Sequence, residues 1–136
     1  MRKYILLIVL FIPSSSGRLE LLRKELTEWD KMYQRIVMVE SEGDRLAYNK
    51  SGAAGEIQIK PIYVKDCNRI LGYEKYTLED RYSREKSREM FEIIQSKYNP
   101  ERDIDKAILI HVSGYEGYKK SPQWWYLDRV KNNSFK

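Results

Sequence analysis

Few residues in this chain are placed to do chemistry, and Glu40 is the one whose setting suits acid catalysis. It lies four positions beyond Ile36 and three beyond Val37, so on a helix it shares their apolar stripe. A carboxyl on an apolar face loses hydration, and one in the last helical turn meets the negative end of the macrodipole. Both effects favour the protonated form that a general acid needs near neutral pH. Spacing alone leaves a second reading open, a helix-end residue whose stripe has already stopped. Glu42 and Asp44 point off the stripe and read as solvated. A Cys–His nucleophile would have to use the single cysteine, Cys67, and the single histidine, His111. No base lies near Cys67 in sequence, and it reads as a small packed residue. No Cys/His cluster has metal-ligand spacing, so neither metal nor cofactor is expected.

The element that must deliver Glu40 is a long amphipathic helix. Leu19, Leu22, Leu26, Trp29, Tyr33, Ile36 and Val37 recur at three and four, and Gly43-Asp44 ends the run. Residues 44–60 change character. Tyr48-Asn49-Lys50-Ser51-Gly52 reads as a turn, Gly52 and Gly55 mark flexible or closely approached backbone, and Ile57 and Ile59 alternate with Gln58 and Lys60. This pattern predicts a small hairpin or irregular β segment. Pro61 opens a helix over 62–71 that Gly72 closes. Residues 73–82 read as a loop with a helical turn after Thr77. Ser83 caps a helix over 84–98 with Met90, Phe91, Ile94 and Tyr98 facing inward. Asn99-Pro100 opens a helix over 101–112 whose Ala107-Ile108-Leu109-Ile110 centre is apolar all round, hence buried and central. Residues 113–120 read as a loop edging a groove, and Ser121-Pro122 starts a last helix through Val130. The fold class expected is α+β, mainly α.

At 136 residues the chain holds one domain with a proper core, and 42% apolar residues exclude a disordered chain. The 25 Lys+Arg against 20 Asp+Glu leave a net charge of +5 spread along the sequence. That excess fits a basic surface or attraction to an anionic polymer. No Arg/Lys tract or nucleic-acid motif is present, so nucleic acid is not the expected partner. Met1-Arg2-Lys3, the apolar run 4–12 and the small residues of Pro13-Ser14-Ser15-Ser16-Gly17 have the layout of a secretory signal. The run is too short to span a bilayer. The expected organisation is a signal peptide over 1–17 and a single domain over 18–136, exported to the periplasm or cell envelope. No membrane anchor remains after cleavage, and the mature protein is expected to be a monomer. A buried N-terminal strand or helix is the other reading of the same run.

Glu40-Ser41 at a helix end, followed about twelve residues later by Gly52-Ala53-Ala54-Gly55-Glu56-Ile57-Gln58-Ile59, resembles the lysozyme-like lytic transglycosylases of the soluble lytic transglycosylase catalytic-domain superfamily. Their pattern is Glu-Ser, then Gly-Ala-x-Gly-(apolar)-(apolar)-Gln-(Ile/Leu), then an aromatic-Asn-Gly segment on a buried helix. The likeness runs from about residue 26 to 130 and takes in Lys60-Pro61-Ile62-Tyr63, Tyr76-Thr77-Leu78-Glu79-Asp80-Arg81 and Glu85-Lys86-Ser87-Arg88. It implies a lysozyme-like helical domain with a small β-hairpin beside the active-site groove. It implies peptidoglycan glycan strands as the partner and Glu40 as the acid that protonates the bond between N-acetylmuramic acid (MurNAc) and N-acetylglucosamine (GlcNAc). Ionised Glu40 would then take the proton of the muramic C6 hydroxyl as a 1,6-anhydro ring closes. Ser41, Gly55 and Gln58 match positions at the substrate groove.

The chain departs from that pattern at two places. Glu56 stands where the family has an apolar residue, either as a second carboxylate for lysozyme-type hydrolysis or as a solvent-facing strand residue. His111-Val112-Ser113-Gly114 stands where the family has aromatic-Asn-Gly-Gly, with His111 either a polar partner in the groove or a satisfied core residue. A non-catalytic peptidoglycan-binding descendant of the fold is therefore the alternative to an enzyme. Tyr115, Tyr118, Trp124, Trp125 and Tyr126 could stack on sugar faces, and one of the adjacent tryptophans must leave the core.

Overall fold

The computed structural model describes residues 26–133, which form a mainly helical fold; the expected signal segment 1–17 and the helical stripe at Leu19 and Leu22 lie outside them. The chain divides into two contact units, Met1–Lys31 and Met32–Lys136. In the described part of the first, Thr27 and Asp30 form a reciprocal cap. The Asp30 amide donates to Thr27 Oγ1 at 3.1 Å, and the Thr27 amide donates to the Asp30 carboxylate at 3.2 Å. The helix carrying Glu40, α1 (Glu28–Ser41), starts at this cap. Within the second unit α1 buries Met32, Tyr33 and Ile36.

Four further helices follow, α2 (Pro61–Leu71), α3 (Arg84–Tyr98), α4 (Ile104–Lys120) and α5 (Trp124–Lys131), with a 3-10 turn at Leu78–Tyr82. Helix α3 packs on α2, on the 3-10 turn and on α4, and α4 packs on α5. Ala107, Ile108, Leu109, Ile110 and His111 are all buried, as an all-round apolar centre requires. An aromatic chain ties the elements together. Tyr33 of α1 meets Phe91 of α3 edge-on at 5.1 Å, Phe91 lies 5.7 Å from the His111 ring of α4, and His111 lies 5.8 Å from Tyr63 of α2.

The capping chemistry falls largely where expected. Pro61 is the first residue of α2 and Gly72 closes it in the left-handed region at φ 83°. The Ser83 side chain accepts from the Lys86 amide at the start of α3. Thr77 and Asp80 form a capping box at the 3-10 turn. Three expectations are corrected. No hairpin forms over 44–60; Tyr48–Ala54 and Ala54–Ile59 are isolated antiparallel bridges in an otherwise irregular segment. Buried Arg81 replaces a strand ladder there, donating from Nη1 to the carbonyls of Gly52 at 2.8 Å and Ile59 at 3.0 Å. Asn99 does not open α4. It is buried, and its side chain braces the turn by bonding Gln95 Oε1 and the backbone of Asp103. Asp103 caps α4 instead. Finally, 113–120 is not a loop. Helix α4 breaks at Gly114 (φ 71°, ψ 169°) and continues to Lys120.

Candidate active site

Glu40, in the last turn of α1, opens onto a groove of about 840 Å³. The walls come from the irregular segment through Gln58 and Lys60, from α2 through Tyr63, Lys65, Asp66 and Arg69, from α3 through Tyr98, from α4 through His111 to Tyr115, and from α5 through Trp125, Tyr126 and Arg129. Such a mixed apolar and polar cleft is the ordinary form of a small-molecule site. Glu40 is half-buried, and its Oε1 accepts a 2.6 Å hydrogen bond from the Tyr126 hydroxyl. Burial first, and then the charge of Glu40, push the Tyr126 phenol far above the ordinary tyrosine range. The phenol therefore stays a donor at every working pH.

Tyr126 belongs to the buried face of α5 with Leu127 and Val130. Sequence reasoning placed it among the sugar-stacking aromatics and missed its tie to Glu40. The available signal was mutual need, since a tyrosine on an apolar stripe requires an acceptor and a carboxyl on another requires a donor. Trp125 does line the groove and is 60% exposed, with its indole N–H on Gln123 Oε1 at 2.7 Å. Tyr115 lines it too, stacked on Tyr98 at 4.7 Å and covered by the Lys119 ammonium at 4.6 Å.

The Glu-Ser and Gly-Ala-Ala-Gly-Glu motifs meet physically, though not at the groove. Ser41 Oγ donates to the Glu56 carbonyl at 2.8 Å and so pins the end of α1 to the irregular segment. Gly55 faces the protein interior, where a Cβ would lie 1.8 Å from the Arg81 carbonyl oxygen. Glu56 is neither solvent-facing nor in the groove. Only 7% exposed, it accepts from the Tyr33 hydroxyl at 3.2 Å and pairs with Arg84 Nε at 3.3 Å. Burial first, and then the Glu56 charge, hold the Tyr33 phenol far above its usual range. Ser41, Gly55 and Glu56 thus build the wall behind the site, while Glu40, Gln58, His111 and Tyr115 line it. Gln58 adopts φ 55°, held there by its own side-chain amide, which donates to Gly55 O at 2.9 Å and Ala47 O at 3.3 Å.

His111 Nε2–H donates to the Ile57 carbonyl at 2.9 Å, and Nδ1 has no hydrogen-bond partner among the described residues. Burial lowers the imidazole pKa below 6.5, against a smaller raising effect from Glu40, so the ring is neutral at neutral pH. Cys67 is separately engaged, with its thiol on the Met90 carbonyl at 3.5 Å and burial pushing its pKa up to about 12. The two do not form a nucleophile pair. Among the described residues no group of three His, Cys, Asp or Glu could hold a metal ion. No protein-family model, curated protein or solved structure matches the chain.

Proposed function

We propose that this chain is a peptidoglycan-cleaving lytic transglycosylase of lysozyme-like fold that breaks the MurNAc–GlcNAc β-1,4 bond, acting after export on wall glycan. The observation that supports this best is Glu40 itself, a half-buried carboxyl at the groove whose Oε1 is fixed by Tyr126 and for whose Oε2 no hydrogen bond or ion pair is found among the described residues. In the proposed reaction Glu40 Oε2 gives its proton to the glycosidic oxygen as the bond to the muramic C1 breaks. The C6 hydroxyl oxygen then bonds to C1, and its proton returns to Glu40. The step closes a 1,6-anhydro ring, consumes no water and needs one carboxyl alone. The groove fits that economy, because its other acid, Asp66, is engaged by Arg69 and by the Tyr98 hydroxyl at 3.1 Å. Lysozyme-type hydrolysis through Glu56 has less support, since Glu56 is committed to Tyr33 and Arg84 outside the groove.

One observation favours the alternative of a glycan-binding protein without turnover. Val112 and Ser113 line the groove where the resembled family has asparagine and glycine, and Ser113 Oγ is turned onto the Leu109 carbonyl at 2.8 Å. Mass analysis of digested peptidoglycan decides among the three. Anhydro ends support the transglycosylase, reducing ends support hydrolysis, and bound but uncut glycan supports the binder.

A further inference from the structure

The α2 side of the groove concentrates its cations, with Arg129 on the α5 wall besides, and protonating a glycosidic oxygen does not by itself require that. Lys60 precedes α2, and Lys65 and Arg69 lie one turn apart on it, all three on the groove wall. At 1.5 Å per residue they spread over about 14 Å of that wall. Arg69 is neutralised locally, bound to Asp66 and to the Tyr98 hydroxyl at 2.8 Å. Lys60 and Lys65 have no ion-pair partner among the described residues, whereas nearby surface lysines such as Lys75, Lys86 and Lys106 each pair with a glutamate. The one acid left on the groove wall is Glu40, already held by Tyr126. Unpaired cations along one wall attract and orient a chain that carries anions at intervals.

Resting on the reading of the groove as a glycan site, we propose that Lys60 and Lys65 recognise the carboxylates carried by the muramic residues, so that the α2 wall selects anionic glycan over the same glycan without charge. Those carboxylates have two sources, the free lactyl group of a stripped strand and the stem peptide of an intact one.

The test measures binding by the full chain carrying Glu40→Gln, so that nothing is cut. The probes are glycan strands stripped of peptide and peptide-bearing peptidoglycan fragments, each with its carboxylates native or amidated. The stripped strands bind about tenfold more tightly than the amidated ones, the size expected of two partly screened ion pairs. That margin shrinks with added salt and disappears in the Lys60→Glu/Lys65→Glu double variant, while Lys97→Glu, on an exposed site outside the groove, keeps it. Tighter binding of stripped strands than of peptide-bearing ones assigns the lactyl carboxylate, and the reverse order assigns the stem. Amidation that weakens the binding of neither stripped nor peptide-bearing strands, or equal behaviour of the double variant and Lys97→Glu, overturns the proposal. If the wild-type chain still releases anhydro products in that case, only the role of the lysines is lost. If it neither binds nor cuts any strand, the glycan reading falls with it.

Discussion

At the scale of single residues, the Tyr126 hydroxyl fixes one oxygen of the half-buried Glu40 carboxyl, and under the proposed function this pairing orients the acid. A typical hydrogen bond contributes roughly 0.5–1.5 kcal/mol, and in the proposed reaction this one leaves the other carboxyl oxygen to face the substrate. Tyr126→Phe keeps the buried ring and removes the donor. It is expected to lower kcat about tenfold while leaving KM within about twofold, since the lost contact is to the acid and not to the sugar. Steady-state release of soluble muropeptides measures both constants, and an unchanged kcat would remove Tyr126 from the account. The half-buried place of Glu40 at a helix end was one of the two readings its spacing allowed. Its partner was not legible, because the two residues are 86 apart and no local pattern joins α1 to α5. Glu56 misled for a related reason. Strand alternation gave it a wet face, but the segment is not a strand, and its carboxylate is drawn inward by Tyr33 and Arg84.

At the scale of elements, the irregular segment 42–60 has to be held without a β ladder, and Gly55 with Arg81 does this. Gly55 sits at φ 83° against the Arg81 carbonyl, which also accepts from Ser87 Oγ at 3.0 Å. Gly55→Ala combines an unfavourable backbone region with a backbone clash and is expected to cost about 3 kcal/mol or more, enough to displace the segment. Gly72→Ala offers the contrast, with the same φ of 83° but nothing within 4 Å, and should cost only about 1 kcal/mol. Urea unfolding of the two variants checks the ordering, and comparable losses would mean that the close approach at Arg81 does not matter. Helices α2 and α3 were readable to within a residue because proline, serine and glycine mark their ends chemically. The start of α4 was misread because Asn99 and Asp103 are both good caps, and tertiary burial of Asn99 awarded the role to Asp103. The continuation past Gly114 was misread because glycines at 114 and 117 lower helix propensity, yet Tyr115 is held by stacking on Tyr98.

At the scale of the whole molecule, one titration couples the core to pH. His111 is the sole histidine, its pKa is lowered by burial in the fold, and the unfolded chain titrates near the ordinary 6.5. Below that value the unfolded state binds the extra proton, so the contribution is complete above about pH 6.5 and is lost as pH falls toward the folded pKa. Between pH 7.5 and 5.5 the melting temperature is therefore expected to fall, because only the unfolded chain takes up the proton over that range. His111→Gln retains an N–H donor for Ile57 and should flatten that slope; an equal slope in the variant would place the titration elsewhere. The mainly helical class and its buried α4 centre were legible from periodicity, while most of the groove's lining was not, because it exists only where six separate segments converge. The measurement that bears most directly on the account is mass spectrometry of peptidoglycan incubated with the wild-type chain and with Glu40→Gln, each first shown to be folded by its far-ultraviolet helical signal. The account predicts 1,6-anhydromuropeptides from the wild type and their loss, by about a thousandfold or more, in the variant. Anhydro products released equally by both chains would contradict the assignment of Glu40 as the acid.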